Sequence, residues 1–246
     1  MRTVAIPGLT AGDFGLGNGG ALAAPLPKAD ERAGRLVVNF KPIGRCPKDE
    51  DVRHIVAFDL SGSLGGPGGT GNDPAGLRFA ALLRAAETVA AACRCGRETL
   101  QVFSFDLTSE FEVGPVPLNR QGIGQLREAL SSTNVGWGIS TLGPSLAAAR
   151  QSVAGFEGKV TITVASDFLL TDVPNVLRDL AGFPADSVHA LVLTAPVPPV
   201  LGNDPSITVT AAGWSDKPAI VAEALYQEFV RFRRPAQAPR KAGRAS

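Results

Sequence analysis

The chain has little of what most catalytic and scaffold chemistries need. It carries two histidines, His54 and His189, and three cysteines, Cys46, Cys93 and Cys95, in 246 residues. A serine hydrolase needs a histidine base, and both histidines fall in short apolar runs that read as strands, where such a residue is packed rather than catalytic. Three thiols do not make a disulfide framework. Cys93 and Cys95 lie near the end of an expected helix, where side chains two apart diverge, so no bridge is expected between them. A zinc site from the three cysteines and His54 has enough ligands, but the spacing matches no zinc pattern. Thiols packed as small apolar groups are the expectation. No apolar run reaches the length that spans a bilayer, and residues 1–8 hold no apolar signal-peptide core. With 24 basic against 23 acidic residues, net charge +1, no global field points to nucleic acid or a membrane. A cytoplasmic, soluble protein is expected.

What is present is an alternation. The hydrophobic fraction is 44%, enough to bury a sizeable core in a chain of this length. Residues 1–34 are rich in Gly, Ala and Pro and read as an irregular arm. A domain is expected over 35–232, followed by a basic flexible tail over 233–246, whose arginines are expected to be solvated rather than bound to nucleic acid. Strands are expected at 35–40, 54–58, 99–105, 110–113, 159–166, 187–193 and 207–211, and helices at 76–93, 121–130, 144–154, 173–180 and 216–232. This order specifies an α/β fold: a doubly wound, mostly parallel central sheet with helices on both faces. The strands at 99–105 and 110–113 are joined by about four residues, so they must pair antiparallel.

The chemistry gathers where expected strands end. Asp59-Leu60-Ser61-Gly62-Ser63 follows the apolar run 54–58, so a carboxylate and two hydroxyls emerge at a strand's carboxyl end, where open α/β sheets bind ligands. Asp167 follows the strand 159–166 in the same setting. Ser140 and Thr141 lie in the loop before the helix that begins near Pro144. Taken singly, each reads as a cap or turn residue. Together they offer only oxygen, which suits a hard cation such as Mg²⁺.

These residues resemble the von Willebrand factor A family and its metal-ion-dependent adhesion site. The family pattern is Asp-x-Ser-x-Ser after the first core strand, a Thr in a later loop, and an Asp after the fourth core strand. Asp59, Ser61 and Ser63 match the first element, Thr141 the second and Asp167 the third. Two departures stand out: Ile139-Ser140 where the family has Gly-Gly, and Phe168 where it has Gly. The resemblance covers about residues 54–232. It implies direct coordination of Mg²⁺, or Mn²⁺ or Ca²⁺, by Ser61 and Ser63. Thr141 would coordinate directly or through water, and Asp59 and Asp167 mainly through water. It also implies a non-enzymatic role: recognition of an Asp or Glu carboxylate on a partner protein, in a bacterial cytoplasmic complex of the kind that includes AAA+ ATPases.

Two other readings compete. In one, the cation site is vestigial and the N-terminal arm does the binding. In the other, the chain is a metal-dependent hydrolase or phosphatase. A phosphatase with an Asp nucleophile after its first strand needs a second Asp two positions on, and Ser61 stands there. The glycines of 62–71 lack the following Lys-Ser/Thr pair of a phosphate cradle.

Overall fold

The computed structural model describes residues 38, 40, 44–47, 49–65, 71–73, 77–93, 95–105, 112–131, 139–213 and 218–234. Six strands form one sheet: β1 (Val52–Asp59), β2 (Glu98–Phe105), β3 (Glu112–Pro117), β4 (Lys159–Ser166), β5 (Ser187–Leu193) and β6 (Ile207–Ala212), in the order β3-β2-β1-β4-β5-β6. All neighbours are parallel except β3, which runs antiparallel to β2 with a register shift between Leu100 and Val102. The short link after β2 leaves no other pairing, because a parallel return needs a crossover. Of the strand expected at 110–113, residues 110 and 111 lie outside the described residues; β3 runs on through Pro115 to Pro117, and an edge strand tolerates the missing N–H groups.

The helices are α1 (Gly62–Gly65), α2 (Leu77–Ala92), α3 (Arg120–Ser131), α4 (Gly143–Ser152), α5 (Asn175–Ala181), α6 (Pro199–Gly202) and α7 (Pro218–Val230). α1 and α6 were not expected; each is a single turn, too short for periodicity to register. None of the described helices is long and apolar enough to cross a membrane.

Alternate side chains of the central strands supply two cores. Val56 and Phe58 of β1 face a cluster with Phe79, Leu82 and Leu83 of α2 and Leu225 and Phe229 of α7. Ile55 and Ala57 face the opposite cluster, with Leu146 of α4 and Leu177 of α5. Each fully buried Leu, Ile or Phe contributes roughly 1.5–3 kcal/mol of transfer free energy. This double burial explains why β1, β4 and β5 are rich in apolar residues on both faces, with His54, Thr161, Thr163 and His189 among their buried polar residues. α2 is buried nearly all round, Arg78 included; that guanidinium is held by Asp73 at 2.5 Å, and the same carboxylate accepts the Leu77 N–H at the helix start.

The strand order reverses at β1, which lies between β2 and β4. The crevice outside that point, at the carboxyl end, is where such sheets bind ligands. The register sets Phe58 beside Ala165, so Asp59 and Ser166 end adjacent strands side by side.

The opposite edge departs from the sequence expectation in three ways. The stretch 35–40, expected as a strand, lies mostly outside the described residues; Val38 and Phe40 are in no strand, and the Phe40 ring packs 4.4 Å from Tyr226. Arg233 and Arg234, expected in the flexible tail, belong to the folded body: Arg233 is buried against Glu98, and Arg234 forms a bridge with Arg45. Cys93 and Cys95 do not diverge. α2 stops at Ala92, Gly96 takes φ +68°, and the resulting turn leaves the two sulfurs 3.3 Å apart. The expected arm over 1–34 lies outside the described residues.

Candidate metal centre at the carboxyl edge

Asp59 is the hub of this edge. It ends β1 and is fully buried. Its Oδ1 accepts the Ser61 N–H at 2.8 Å, the short turn expected of Asp followed by Ser. Its Oδ2 accepts the Ser140 hydroxyl at 2.8 Å and the Ser166 hydroxyl at 2.6 Å. Burial pushes the Asp59 carboxyl above its ordinary value, and the hydrogen bonds from Ser166, Ser61 and Ser140 offset part of that rise. A carboxylate has about four lone-pair sites, and these donors fill most of them. Asp59 thus fixes two hydroxyls and the Ser61 backbone N–H around it.

The turn after Asp59 brings Ser61 Oγ and Ser63 Oγ to 2.9 Å from each other. Mg²⁺ holds its oxygens at about 2.0–2.1 Å in an octahedron, which puts adjacent ligands about 2.9 Å apart. The two hydroxyls are hydrogen-bonded to each other; that distance also matches one octahedral edge, so the donor set suits that ion without rearrangement.

Asp167 is also buried. Its Oδ1 accepts the Leu169 N–H at 3.1 Å, and its Oδ2 accepts the Asn72 side-chain amide at 2.8 Å. Asn72 also donates its backbone N–H to the Ser63 carbonyl at 2.8 Å. It therefore ties the Ser63 turn to the Asp167 turn. The Asn72 carbonyl in turn accepts the Thr194 hydroxyl at 3.0 Å, from the end of β5.

Four of the five sequence candidates, Asp59, Ser61, Ser63 and Asp167, are joined in this way. Thr141 is carried by the same loop as Ser140, but its hydroxyl meets Thr171 Oγ1 at 3.2 Å, and Thr171 is anchored on the Ser140 carbonyl. Thr141 makes none of the contacts that unite the other four. Gly143, which opens α4, donates its N–H to Asp172 at 2.7 Å, fixing the loop's far end.

Three contributors were not singled out from the sequence. Ser140, one of the loop's hydroxyl pair with Thr141 but not among the five candidates, is the member of that pair that bonds Asp59. Ser166 was legible in principle, because the register of adjacent parallel strands sets it beside Asp59. Asn72 was not legible: it follows a Gly-rich stretch with no periodicity, and its partner lies 95 residues away.

The two departures from the resembled pattern take different forms. Ser140 stands where that pattern has a glycine and makes a hydrogen bond to the hub. Phe168 also stands at a glycine position of the pattern; its backbone has φ +57°, while its ring is buried in the second core. Thr194 is the other non-glycine residue at positive φ among the described residues, at +59°. A β-branched residue there is a true outlier, and such strain gathers at functional sites. Both strained residues lie at this edge.

No family model and no curated protein matches the sequence. Solved structures do. A pilus adhesin, SpaC from Lactobacillus rhamnosus GG, is similar with a TM-score of 0.57 at 12% identity, over 76% of this chain and 31% of that one. Proximal thread matrix protein 1 from the mussel byssus gives 0.55 at 13%, over 76% and 48%. An aerotolerance-related membrane protein from Bacteroides fragilis gives 0.50 at 16%, over 73% of this chain and 99% of that one. At such identities the likeness speaks for the fold. Sheet order, the single antiparallel edge strand and these neighbours together give the chain a von Willebrand factor A-like α/β fold.

Proposed function

We propose that this chain is a non-enzymatic recognition domain that holds a divalent cation, Mg²⁺ first and Mn²⁺ or Ca²⁺ as substitutes, at the carboxyl edge of its sheet. Ser61 and Ser63 bind through their hydroxyls. Asp59 and Asp167 act through water and by orienting those hydroxyls. Thr141 acts directly or through water, with Thr171 engaging its hydroxyl at 3.2 Å. Neutral hydroxyls leave the ion's charge under-compensated, and the bound ion supplies a coordination position for an Asp or Glu carboxylate of a partner protein. The setting is a cytoplasmic multi-protein complex, with an AAA+ ATPase as one candidate partner.

The observation that carries this reading is the Ser61–Ser63 hydroxyl pair at 2.9 Å, set beside a carboxylate whose own oxygens are already committed. A serine hydrolase needs a histidine base. Among the described residues His54 and His189 lie inside strands, with His54 Nδ1 on Thr161 and His189 Nε2 on Thr210.

The Asn72 amide on Asp167 favours a second reading, in which hydrogen bonds alone close the cluster and partner binding falls to residues 1–34. Partner capture from the native host, run with Mg²⁺ and then with EDTA, separates the two. Capture that is lost in EDTA and in Ser63→Ala supports the cation reading. Capture that survives both, and is lost when residues 1–34 are deleted, supports the other.

A further inference from the structure

A second cluster lies at the other end of the same sheet. The thiols of Cys46, Cys93 and Cys95 and the carboxylate of Glu98 each place one atom within 4.8 Å of all the others. Cys46 Sγ is 3.5 Å from Cys93 Sγ, Cys93 Sγ is 3.3 Å from Cys95 Sγ, and Cys93 Sγ is 3.0 Å from Glu98 Oε2. Cys93 and Glu98 are buried, and Cys46 and Cys95 half-buried.

Two separate pieces of chain build this cluster. Cys93 follows the last turn of α2, and the left-handed Gly96 returns the chain so that Glu98 opens β2. Cys46 comes from the segment before β1. That segment is pinned by paired backbone hydrogen bonds between Arg45 and Arg234, of 2.8 and 3.3 Å. Gly44 is required there, because a Cβ would fall 2.3 Å from the Arg234 carbonyl oxygen.

Zinc–thiolate bonds of about 2.3 Å put tetrahedral sulfurs about 3.8 Å apart. The Cys46–Cys93 and Cys93–Cys95 sulfur separations, 3.5 and 3.3 Å, lie within about half an ångström of that spacing. The carboxylate that would complete the tetrahedron is already oriented. Arg233 grips Glu98 with two donors, Nε to Oε1 at 2.9 Å and Nη2 to Oε2. Its remaining nitrogen, Nη1, is buried with no hydrogen-bond partner among the described residues. Thus a cation lies behind the ligand carboxylate, against a shell that is otherwise strongly negative once the thiols ionise. Outer-shell partners of this kind fix ligand geometry and tune affinity.

We propose that Cys46, Cys93, Cys95 and Glu98 form a closed tetrahedral site for Zn²⁺ that clamps the segment before β1 and the end of α7 to the amino edge of the sheet. Four protein ligands leave no open position, so the role is structural. His54, counted with the cysteines on sequence alone, lies outside the group: the ligand atoms within 4.8 Å of one another are those of Cys46, Cys93, Cys95 and Glu98, while the His54 ring packs on Phe229. Glu98 takes the fourth place. Binding displaces thiol protons, so affinity rises with pH.

The test is titration of the reduced, metal-stripped full chain with Co²⁺, followed by competition with Zn²⁺. The expected result is a single tight site with a thiolate-to-cobalt charge-transfer band and the strong visible bands of tetrahedral Co²⁺, bleached by Zn²⁺. Cys46→Ser and Cys95→Ser alter half-buried side chains; each is expected to keep the wild-type circular dichroism and to lose most of the charge-transfer intensity. Arg233→Lys is expected to weaken Co²⁺ about 10–100-fold. Ser63→Ala, at the opposite edge, is expected to leave the spectrum unchanged. No cobalt band in the reduced protein overturns the proposal, as does a band undiminished in both cysteine variants. Isolation of the chain with a disulfide among these cysteines and without zinc also overturns it, assigning a redox pair instead.

Discussion

The two ends of one parallel sheet gather opposite chemistries. At the carboxyl edge the donors are hydroxyl and carboxylate oxygens, joined by hydrogen bonds that run through Asp59. At the amino edge the donors are sulfurs and one carboxylate locked by an arginine. The first set suits a hard ion that exchanges ligands, the second a borderline ion that stays. The difference follows from how each edge is made. Loops at the carboxyl end flank a topological switch and converge on a crevice. The amino edge is closed by the ends of the domain folding back on it, through Arg45, Arg233 and Arg234.

The largest effect is expected where that closure is broken. Arg233→Ala leaves Glu98 buried and uncompensated, and is expected to cost about 3–5 kcal/mol in denaturant unfolding. Replacing both partners by apolar residues is expected to restore most of that loss. If the single variant unfolds at the wild-type midpoint, the amino edge is not a closed element and the contrast fails.

At the carboxyl edge, Asp59→Ala strips the acceptor from Ser140, Ser166 and the Ser61 N–H. A loss of about 1–3 kcal/mol is expected from the unsatisfied donors, measured by urea unfolding without cation, together with loss of stabilisation by Mg²⁺.

Acid separates the ends by sign. His54 lies near the amino end of β1, and burial with the nearby Arg233 charge lowers it from 6.5 to about 3. A depressed histidine contributes stability that is present above 6.5 and lost as pH falls toward about 3. Asp59 is raised above 3.8 by burial. Its contribution is present below that ordinary value and lost as pH climbs through the folded one. A bound dication favours the carboxylate, so the rise in melting temperature produced by Mg²⁺ is expected to grow as pH increases across the same window. Thermal melts with Mg²⁺ or EDTA along a pH series check both signs.

How much of this was written legibly in the sequence differs between the edges for the same reason. β1, β4 and β5 are strands rich in apolar and β-branched residues, so their ends, and with them Asp59 and Asp167, are legible. Topology then brought together residues 107 positions apart, as with Ser166 and Asp59. The amino edge offered no such rule. Cys46 sits in irregular chain, and the divergence expected of Cys93 and Cys95 assumed a helix that stops at Ala92. Glu98 looked like an ordinary first residue of a strand, because its partner Arg233 lies 135 residues on, in what read as a tail.

The smallest expected change sharpens the role of strain at the carboxyl edge. Thr194→Gly relieves the positive φ and removes the hydroxyl donated to Asn72. The two effects oppose, and stability is expected to stay within about 1 kcal/mol of wild type in denaturant unfolding. A larger loss would mean that the Thr194–Asn72 bond, rather than backbone geometry, holds the Asn72 staple on Asp167.

The central claim is that the Ser61–Ser63 pair is one edge of a cation's coordination shell. Titration of the full chain with Mn²⁺, followed by electron paramagnetic resonance, tests it most directly. Wild type and Cys95→Ser are expected to bind a single Mn²⁺ that Mg²⁺ displaces, and Ser63→Ala is expected to bind none. Equal Mn²⁺ binding by wild type and Ser63→Ala, or no binding by either, contradicts the account.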